Sequence, residues 1–193
     1  MPDAPVARTA RFDVLVAGSP GPNVASTCTL VREGSVVAIV DPGLAPSQDA
    51  ILAPLRALGR DASDVTDVVI SHHHPDHTIN IALFPNAKVH DHWAIYQNDN
   101  WTSRPAEGFE VAPGVTLWET PGHTAQDITT MVEDGDQRIA FTHCWWYQTA
   151  PYDDPLCTDP VGLHESRERV LEVATLIVPG HGAPFVPDDS TSR

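Results

Sequence analysis

The feature that most constrains this chain is the run His72-His73-His74-Pro75-Asp76-His77. It directly follows the apolar stretch Val68-Val69-Ile70, which predicts a buried strand, so the run lies at a strand end. Imidazole and carboxylate groups are common zinc ligands in proteins. The first and third histidines face one position, and the aspartate and last histidine face a second position just beyond it. The spacing predicts a metal site with room for two neighbouring cations.

A solvated histidine-rich loop or a purification tag would be a simpler interpretation of this run. Tags are terminal, whereas this run is internal and follows an apolar strand. For a chain of this composition, the pattern His-x-His-x-Asp-His is expected by chance roughly 0.0025 times. The pattern therefore favours a metal-binding site.

Length, composition and charge indicate one globular domain. The 193 residues, 41% of them hydrophobic and 19% charged, are enough for one core and few for two. We therefore expect residues 1–193 to form a single domain. The formal net charge of −15 repels polyanions, so a nucleic-acid partner is disfavoured.

The chain shows no secretory signal and no run of 18 apolar residues, so we expect no membrane span. Its three cysteines are too few and too irregularly spaced for a disulfide framework, which fits a reducing compartment. A cytoplasmic location is the resulting expectation. These features predict no particular oligomeric state.

Apolar runs separated by Gly and Pro turns predict two sheets. Strands are expected at residues 12–17, 27–31, 36–40, 65–71, 88–90, 115–119, 128–132, 138–141 and 175–178. Helices are expected after the N-caps Ser47 and Asp159 and over residues 76–83. The polar segment 96–113 is expected to be an irregular loop beside the substrate, and residues 187–193 a disordered tail. The prediction is an α/β protein, a four-layer α/β/β/α sandwich with its core in residues 12–186.

Three further candidate ligands also follow predicted strands. They are His123 in Thr120-Pro121-Gly122-His123-Thr124, Cys144 after Phe141-Thr142-His143, and His181 in Val178-Pro179-Gly180-His181-Gly182. A strand end followed by a tight turn lets backbone and side chain approach a common cleft. We expect these side chains to converge with the histidine run.

These segments, in this order, resemble the metallo-β-lactamase superfamily over about residues 12–186. Within it the chain is similar to the small glyoxalase-II-like hydrolases, and particularly to the family called metallo-β-lactamase domain-containing protein 1. This finer similarity rests on Leu83-Phe84-Pro85-Asn86-Ala87, on Glu165-Ser166-Arg167, and on the segment from Val178 to Phe185. The resemblance implies the sandwich fold and a centre of one or two zinc ions, with iron or manganese as alternatives.

Carried over residue by residue, the resemblance assigns two sets of ligands: His72, His74 and His123 for the first metal, and Asp76, His77 and His181 for the second. Dinuclear members have a bridging aspartate where this chain has His143-Cys144. The resemblance makes Cys144 its substitute, as a thiolate ligand of the second metal. With Cys144 added, the second metal has four candidate ligands. They cannot all bind a tetrahedral cation and leave a position for water, so we expect one of them not to coordinate.

Several residues keep alternative interpretations. Cys144 alone is also typical of a small buried hydrophobic residue. His143 is interpretable as a ligand, as a side chain that supports a ligand, or as a surface residue. His73 is expected to point away from the metals, because its two neighbours point towards them. Asp41 is a candidate hydrogen-bond partner for a ligand.

The predicted reaction is metal-dependent hydrolysis. Because bound zinc lowers the pKa of water to about 7, a zinc-bound hydroxide would attack the carbonyl of a small ester, thioester, lactone or lactam, with Asp76 as the catalytic residue that orients it. Three alternatives stay open: an RNA phosphodiesterase of the same superfamily, a mononuclear-iron persulfide dioxygenase, and a metal-binding protein without catalysis.

Overall fold

The computed structural model describes residues 11–193. The single-domain prediction for residues 1–10 lies outside the described part of the chain. In residues 11–193 the strands form two sheets. No helix of these residues is both long enough and apolar enough to cross a lipid bilayer.

The first sheet has strands in sequential order within the described residues, β1 to β7. The pairs β1–β2, β2–β3, β5–β6 and β6–β7 are antiparallel. The pairs β3–β4 and β4–β5 are parallel. Its strands are β1 (Arg11–Val16), β2 (Cys28–Glu33), β3 (Val36–Val40), β4 (Asp67–Val69), β5 (Lys88–His90), β6 (Ala94–Gln97) and β7 (Asn100–Ser103).

The second sheet has the order β12-β11-β10-β9-β8 within residues 11–193. All neighbours are antiparallel except β11 and β12, which are parallel. Its strands are β8 (Glu110–Ala112), β9 (Val115–Glu119), β10 (Ile128–Asp134), β11 (Gln137–Thr142) and β12 (Leu176–Pro179).

Helices cover the outer faces of both sheets. Helix α1 (Gln48–Ala57) begins at Ser47, whose side chain caps Ala50 N–H, and packs Ile51 and Leu55 on the first sheet. Helix α3 (Pro160–Leu171) begins at the cap Asp159 and packs on the second sheet. The short helix α2 (Pro75–Thr78) lies inside the histidine run.

Alternation along the strands produces three apolar layers. In β2, Val31 faces the second sheet, whereas its neighbour Leu30 faces α1. In β11, Phe141 faces the first sheet and Ala140 faces α3. The layers are helix, sheet, sheet and helix, which confirms the predicted α/β/β/α sandwich.

Three local predictions differ from the structure. Segment 96–113 contains β7 and β8 rather than an irregular loop, and segment 76–83 is divided into α2 and a 3-10 turn at Ile81–Leu83. The tail at 187–193 also departs from the expected disorder. Ser192 accepts a hydrogen bond from the indole of Trp145 at 2.8 Å, and Thr191 is buried.

Candidate metal centre

The topology brings several strand ends to one edge of the sandwich. Strands β3 and β4 are parallel and end before Asp41 and the histidine run, and the parallel pair β11 and β12 ends before His143 and Gly180. Strand β9 runs in the same direction as β11, because each is antiparallel to β10, and His123 follows it. The predicted convergence of these segments is therefore present in the fold.

One group of histidines meets with its ring nitrogens at contact distance. His72 Nε2 lies 3.0 Å from His74 Nδ1, and His123 Nε2 lies 3.1 Å from the same atom. A tetrahedral zinc ion with Zn–N bonds of about 2.0–2.1 Å has its ligand nitrogens about 3.4 Å apart. The three donors are thus arranged closely enough to hold one cation.

A second group lies beside the first. His181 Nε2 lies 3.4 Å from His77 Nε2 and 3.2 Å from His143 Nε2. The Asp76 carboxylate lies 3.6 Å from both His77 Nε2 and His181 Nε2. This group offers three imidazoles and one carboxylate, a donor set suited to a divalent transition metal.

His143 stands between the two groups. Its ligand atom lies within 4.8 Å of those of His72 and His123 on one side and of His77 and His181 on the other. The ring packs against the backbone of Gly180, where a Cβ atom would lie 2.4 Å from His143 Cδ2. Glycine at position 180 therefore makes the space that the ring occupies.

The cluster favours neutral imidazoles, which is the form that binds metal. Burial, reinforced by the neighbouring histidines, lowers the pKa of His72 and of His143 well below the ordinary value. Burial likewise lowers the pKa of His74 and of His181. Free electron pairs on packed imidazoles are therefore available at neutral pH.

Hydrogen bonds outside the cluster orient four of the rings. His77 Nδ1 lies 2.9 Å from Asp41 Oδ2, and His123 Nδ1 lies 2.7 Å from Asp154 Oδ2. His181 Nδ1 donates to the carbonyl of Ala25, and His72 Nδ1 lies 3.0 Å from Ser71 Oγ. Each contact holds the other ring nitrogen towards the cluster, as is usual for metal-binding histidines.

Asp41 and Gly43 fix the entry to helix α2. Asp41 has a φ angle of 52°, and its Oδ1 atom accepts a 2.6 Å hydrogen bond from the backbone of Ser71. A Cβ atom on Gly43 would lie 1.6 Å from the carbonyl oxygen of Asp76. The close approach of this loop to α2 therefore requires glycine at position 43, and it positions Asp76 beside the cluster.

A cleft of about 190 Å³ opens onto the cluster. The metal-facing side chains Asp76 and His143 contribute to its floor, and Val24, Trp146 and Leu156 contribute apolar walls. The Trp146 ring lies 6.1 Å from the His123 ring and 6.0 Å from the His181 ring. Reactive groups and an apolar binding surface therefore share one opening.

Cys144 does not join these side chains, which corrects its predicted role as a metal ligand. It is buried in the apolar layer between α3 and the second sheet, with Trp145 and Leu163. Burial raises the pKa of its thiol to about 11. Its neighbour His143 faces the cluster instead.

Other predictions for single residues have mixed outcomes. His73 points away from the cluster, as expected, with Nε2 3.1 Å from Asp91 Oδ2. Asp41 contacts His77, one of the candidate ligands, as expected. Asp154 was missed, because it lies in a polar loop that is distant in sequence from His123 and carries no recognisable motif.

Comparison with known proteins gives the same family for most of the chain. Residues 21–183 match the family model described as the metallo-beta-lactamase superfamily. "Metallo-beta-lactamase domain-containing protein 1" of Rattus norvegicus is 35% identical over 165 residues, which are 76% of this chain and 62% of that protein. The aligned region therefore covers less than two thirds of this relative.

Two further proteins are similar over smaller or more divergent regions. "Hydroxyacylglutathione hydrolase" of Rhodopseudomonas palustris (strain BisB18) is 30% identical over 119 residues, 56% of this chain and 46% of that protein. A solved structure from Thermotoga maritima, assigned to the metallo-beta-lactamases, superposes with a TM-score of 0.74 at 22% identity, covering 93% of this chain and all of that one. The chain belongs to the metallo-β-lactamase superfamily.

Proposed function

We propose that this protein is a metal-dependent hydrolase of small molecules. The observation that carries the proposal is the meeting of six predicted ligands, together with His143, in one cluster that opens onto a cleft. The first set would be His72, His74 and His123, and the second set Asp76, His77 and His181. Zinc suits these nitrogen-rich sets best, and iron or manganese are the alternatives.

A divalent metal bound by these residues would supply a nucleophilic water at neutral pH and would polarise the substrate carbonyl. Asp76 is the acidic side chain that faces the cleft floor. Its carboxylate would accept a hydrogen bond from the attacking water, orient the water towards the carbonyl carbon and take up its proton. Hydrogen bonds to the outer nitrogens of His77, His123 and His181 hold these rings in position.

The cleft supports a small substrate that has an apolar part. Its volume of about 190 Å³ is below the range of about 300–1,000 Å³ that drug-sized ligands occupy. Trp146 and Leu156 would contact the acyl or leaving group while the carbonyl lies over the cluster. Small esters, thioesters, lactones and lactams fit this description, and the relative named hydroxyacylglutathione hydrolase adds support for carbonyl chemistry.

We also propose that the protein works in a reducing, cytoplasmic environment. Cys28, Cys144 and Cys157 are free thiols, and the first two are buried. Fractionation of cells that produce the native protein would test the location, and recovery in an exported fraction would contradict it.

Elemental analysis combined with a substrate panel tests the proposed activity. Protein purified without added metal is assayed against an ester, a thioester, a lactone and a lactam, before chelation, after chelation and after metal is returned. We expect hydrolysis of at least one class, loss on chelation and recovery on reloading. His72→Ala should lower metal content and activity together, whereas His164→Gln, on the outer helix α3, should change neither. A metal-loaded protein that is inactive on the whole panel would reject the proposal.

A further inference from the structure

Arg167 is a buried charged side chain outside the metal cluster. It lies on helix α3 and is 1% exposed, although a guanidinium is costly to bury without partners. Its hydrogen bonds go to main-chain carbonyls: Nε donates to Cys144 at 2.8 Å, Nη1 to Tyr152 at 2.6 Å and Nη2 to Pro151 at 3.4 Å. The guanidinium therefore joins the start of one loop, residues 144–154, to a point just before its end.

Both ends of the 144–154 loop reach the metal cluster. The residue before the loop is His143, which faces the cluster, and its last residue is Asp154, which lies 2.7 Å from His123 Nδ1. The loop also carries Trp146, whose indole donates to Asp154 and whose ring is part of the cleft wall. A shift of this loop would therefore displace Asp154 from His123.

Apolar packing contributes little to the position of the loop just before Asp154. Residues 151–153 are exposed to solvent, so they bury little apolar surface. A cavity of about 100 Å³ has Trp146, Asp154 and Arg167 in its lining. This cavity leaves room for the loop to move inward if the guanidinium is removed. The hydrogen bonds from Arg167 to residues 151 and 152 therefore hold this part of the loop in place.

We propose that Arg167 is a positioning residue that holds Asp154 against His123. Asp154 in turn keeps the His123 ring directed towards the first cation position, which is the one formed by His72, His74 and His123. The effect on metal binding rests on the proposed function. The contact between Asp154 and His123 belongs to the protein itself and can be followed without metal.

NMR of the metal-free, full-length protein follows this contact directly. The ring N–H resonance of His123 is assigned by its loss in His123→Gln, and it should shift in Asp154→Asn because the carboxylate partner is removed. Arg167→Met should shift it in the same direction. Two controls should leave it in place: Arg169→Met, a partly exposed arginine on the same helix, and Ile51→Val, which loosens the apolar layer under α1.

Competition with a chelator measures the metal affinity of the same variants. Arg167→Met should lower the affinity by about 10–100-fold, as Asp154→Asn does. If Arg167 acts through Asp154, the double variant should bind metal no more weakly than Asp154→Asn alone. Losses that add in the double variant would show that Arg167 acts by another route and would overturn the proposal, as would an unshifted His123 resonance in Arg167→Met.

Arg167→Lys provides a second variant in case Arg167→Met fails to fold. A planar guanidinium reaches three carbonyls at once, whereas an ammonium lacks this fixed geometry. Both the resonance and the affinity should therefore lie between those of the wild type and those of Asp154→Asn, and values equal to the wild type in both would overturn the proposal. A wild type that takes up no metal would reject the proposed function, while the His123 resonance would still decide the role of Arg167.

Discussion

Asp154 Oδ2 lies 2.7 Å from Nδ1 of His123, so a carboxylate from the loop after β11 orients a histidine from the loop before β10. The same oxygen accepts a 3.0 Å hydrogen bond from the Trp146 indole, and Oδ1 accepts one from the backbone of Leu156. Burial acts to raise the pKa of Asp154, but these hydrogen bonds outweigh it and lower the pKa. Asp154 thereby links the metal cluster to the apolar wall of the cleft.

Asp154→Asn should weaken metal binding at the first position. The amide keeps the shape of the side chain but loses the charge that holds His123, and such changes typically cost about 10–100-fold in metal affinity. Competition with a chelator of known affinity measures the effect. Asp153→Asn, at the exposed neighbouring position, is the matched control and should bind as the wild type does. Equal affinity in the two variants would show that Asp154 has no part in holding the metal.

Asp76→Asn should reduce turnover more than substrate binding. The amide cannot accept the proton of the attacking water, and general acid–base groups typically contribute about 10²–10⁴-fold to the rate. Steady-state kinetics on the substrate found in the panel, with metal content measured on the same sample, separates this effect from metal loss. A variant that holds its metal and keeps full kcat would remove Asp76 from the mechanism.

The fold and most of the cluster could be predicted because their signals are local. The histidine run and the segments that carry His123 and His181 each come shortly after an apolar strand, and the run at 72–77 carries a spacing that few other structures require. Which of the two neighbours His143 and Cys144 faces the cluster could not be predicted in this way. Neighbouring residues after a strand point to opposite sides, so the choice depends on where β11 ends, at Thr142.

The sequence pattern also did not predict the edge strand β7 or the long-range contact that holds the C-terminal segment. Strand β7 is exposed along its whole length, so it lacks the alternation of apolar and polar residues that marks a half-buried strand. The C-terminal segment is held by the Trp145 indole, across 47 residues of sequence. Contacts of this kind depend on the assembled fold rather than on local composition.

Cys144→Ser should leave the metal content unchanged. The thiol lies in the apolar layer under α3, away from the cluster, so the expected effect is on the free energy of unfolding, a loss of about 0.5–3 kcal/mol as for most buried substitutions. Metal analysis and denaturant unfolding on one sample measure both quantities. Cys28→Ser, a buried cysteine in the layer under α1, is the control. Selective loss of one metal equivalent in Cys144→Ser would restore the thiolate assignment.

The metal-free protein should lose stability as the pH falls below about 6.5, the ordinary pKa of histidine. His72 and His143 have a pKa well below that value, chiefly because of burial, so the unfolded chain binds protons that the folded chain does not. These two groups alone then decrease the free energy of unfolding with falling pH by at most about 2.7 kcal/mol per pH unit, at about 1.36 kcal/mol each, and the lowered pKa of His74 and of His181 acts in the same direction.

At lower pH, protonation of Asp127 raises the free energy of unfolding and so opposes the effect of the histidines. Burial raises its pKa to about 6, so between about pH 3.9 and 6 the folded chain binds a proton that the unfolded chain has lost. Denaturant unfolding between pH 7.5 and 6 therefore isolates the histidine effect. His143→Gln should flatten the dependence, because it removes one buried imidazole, whereas the control His164→Gln should keep the wild-type slope. Equal slopes in all three proteins would mean that His143 is protonated to the same extent in the folded and unfolded chains.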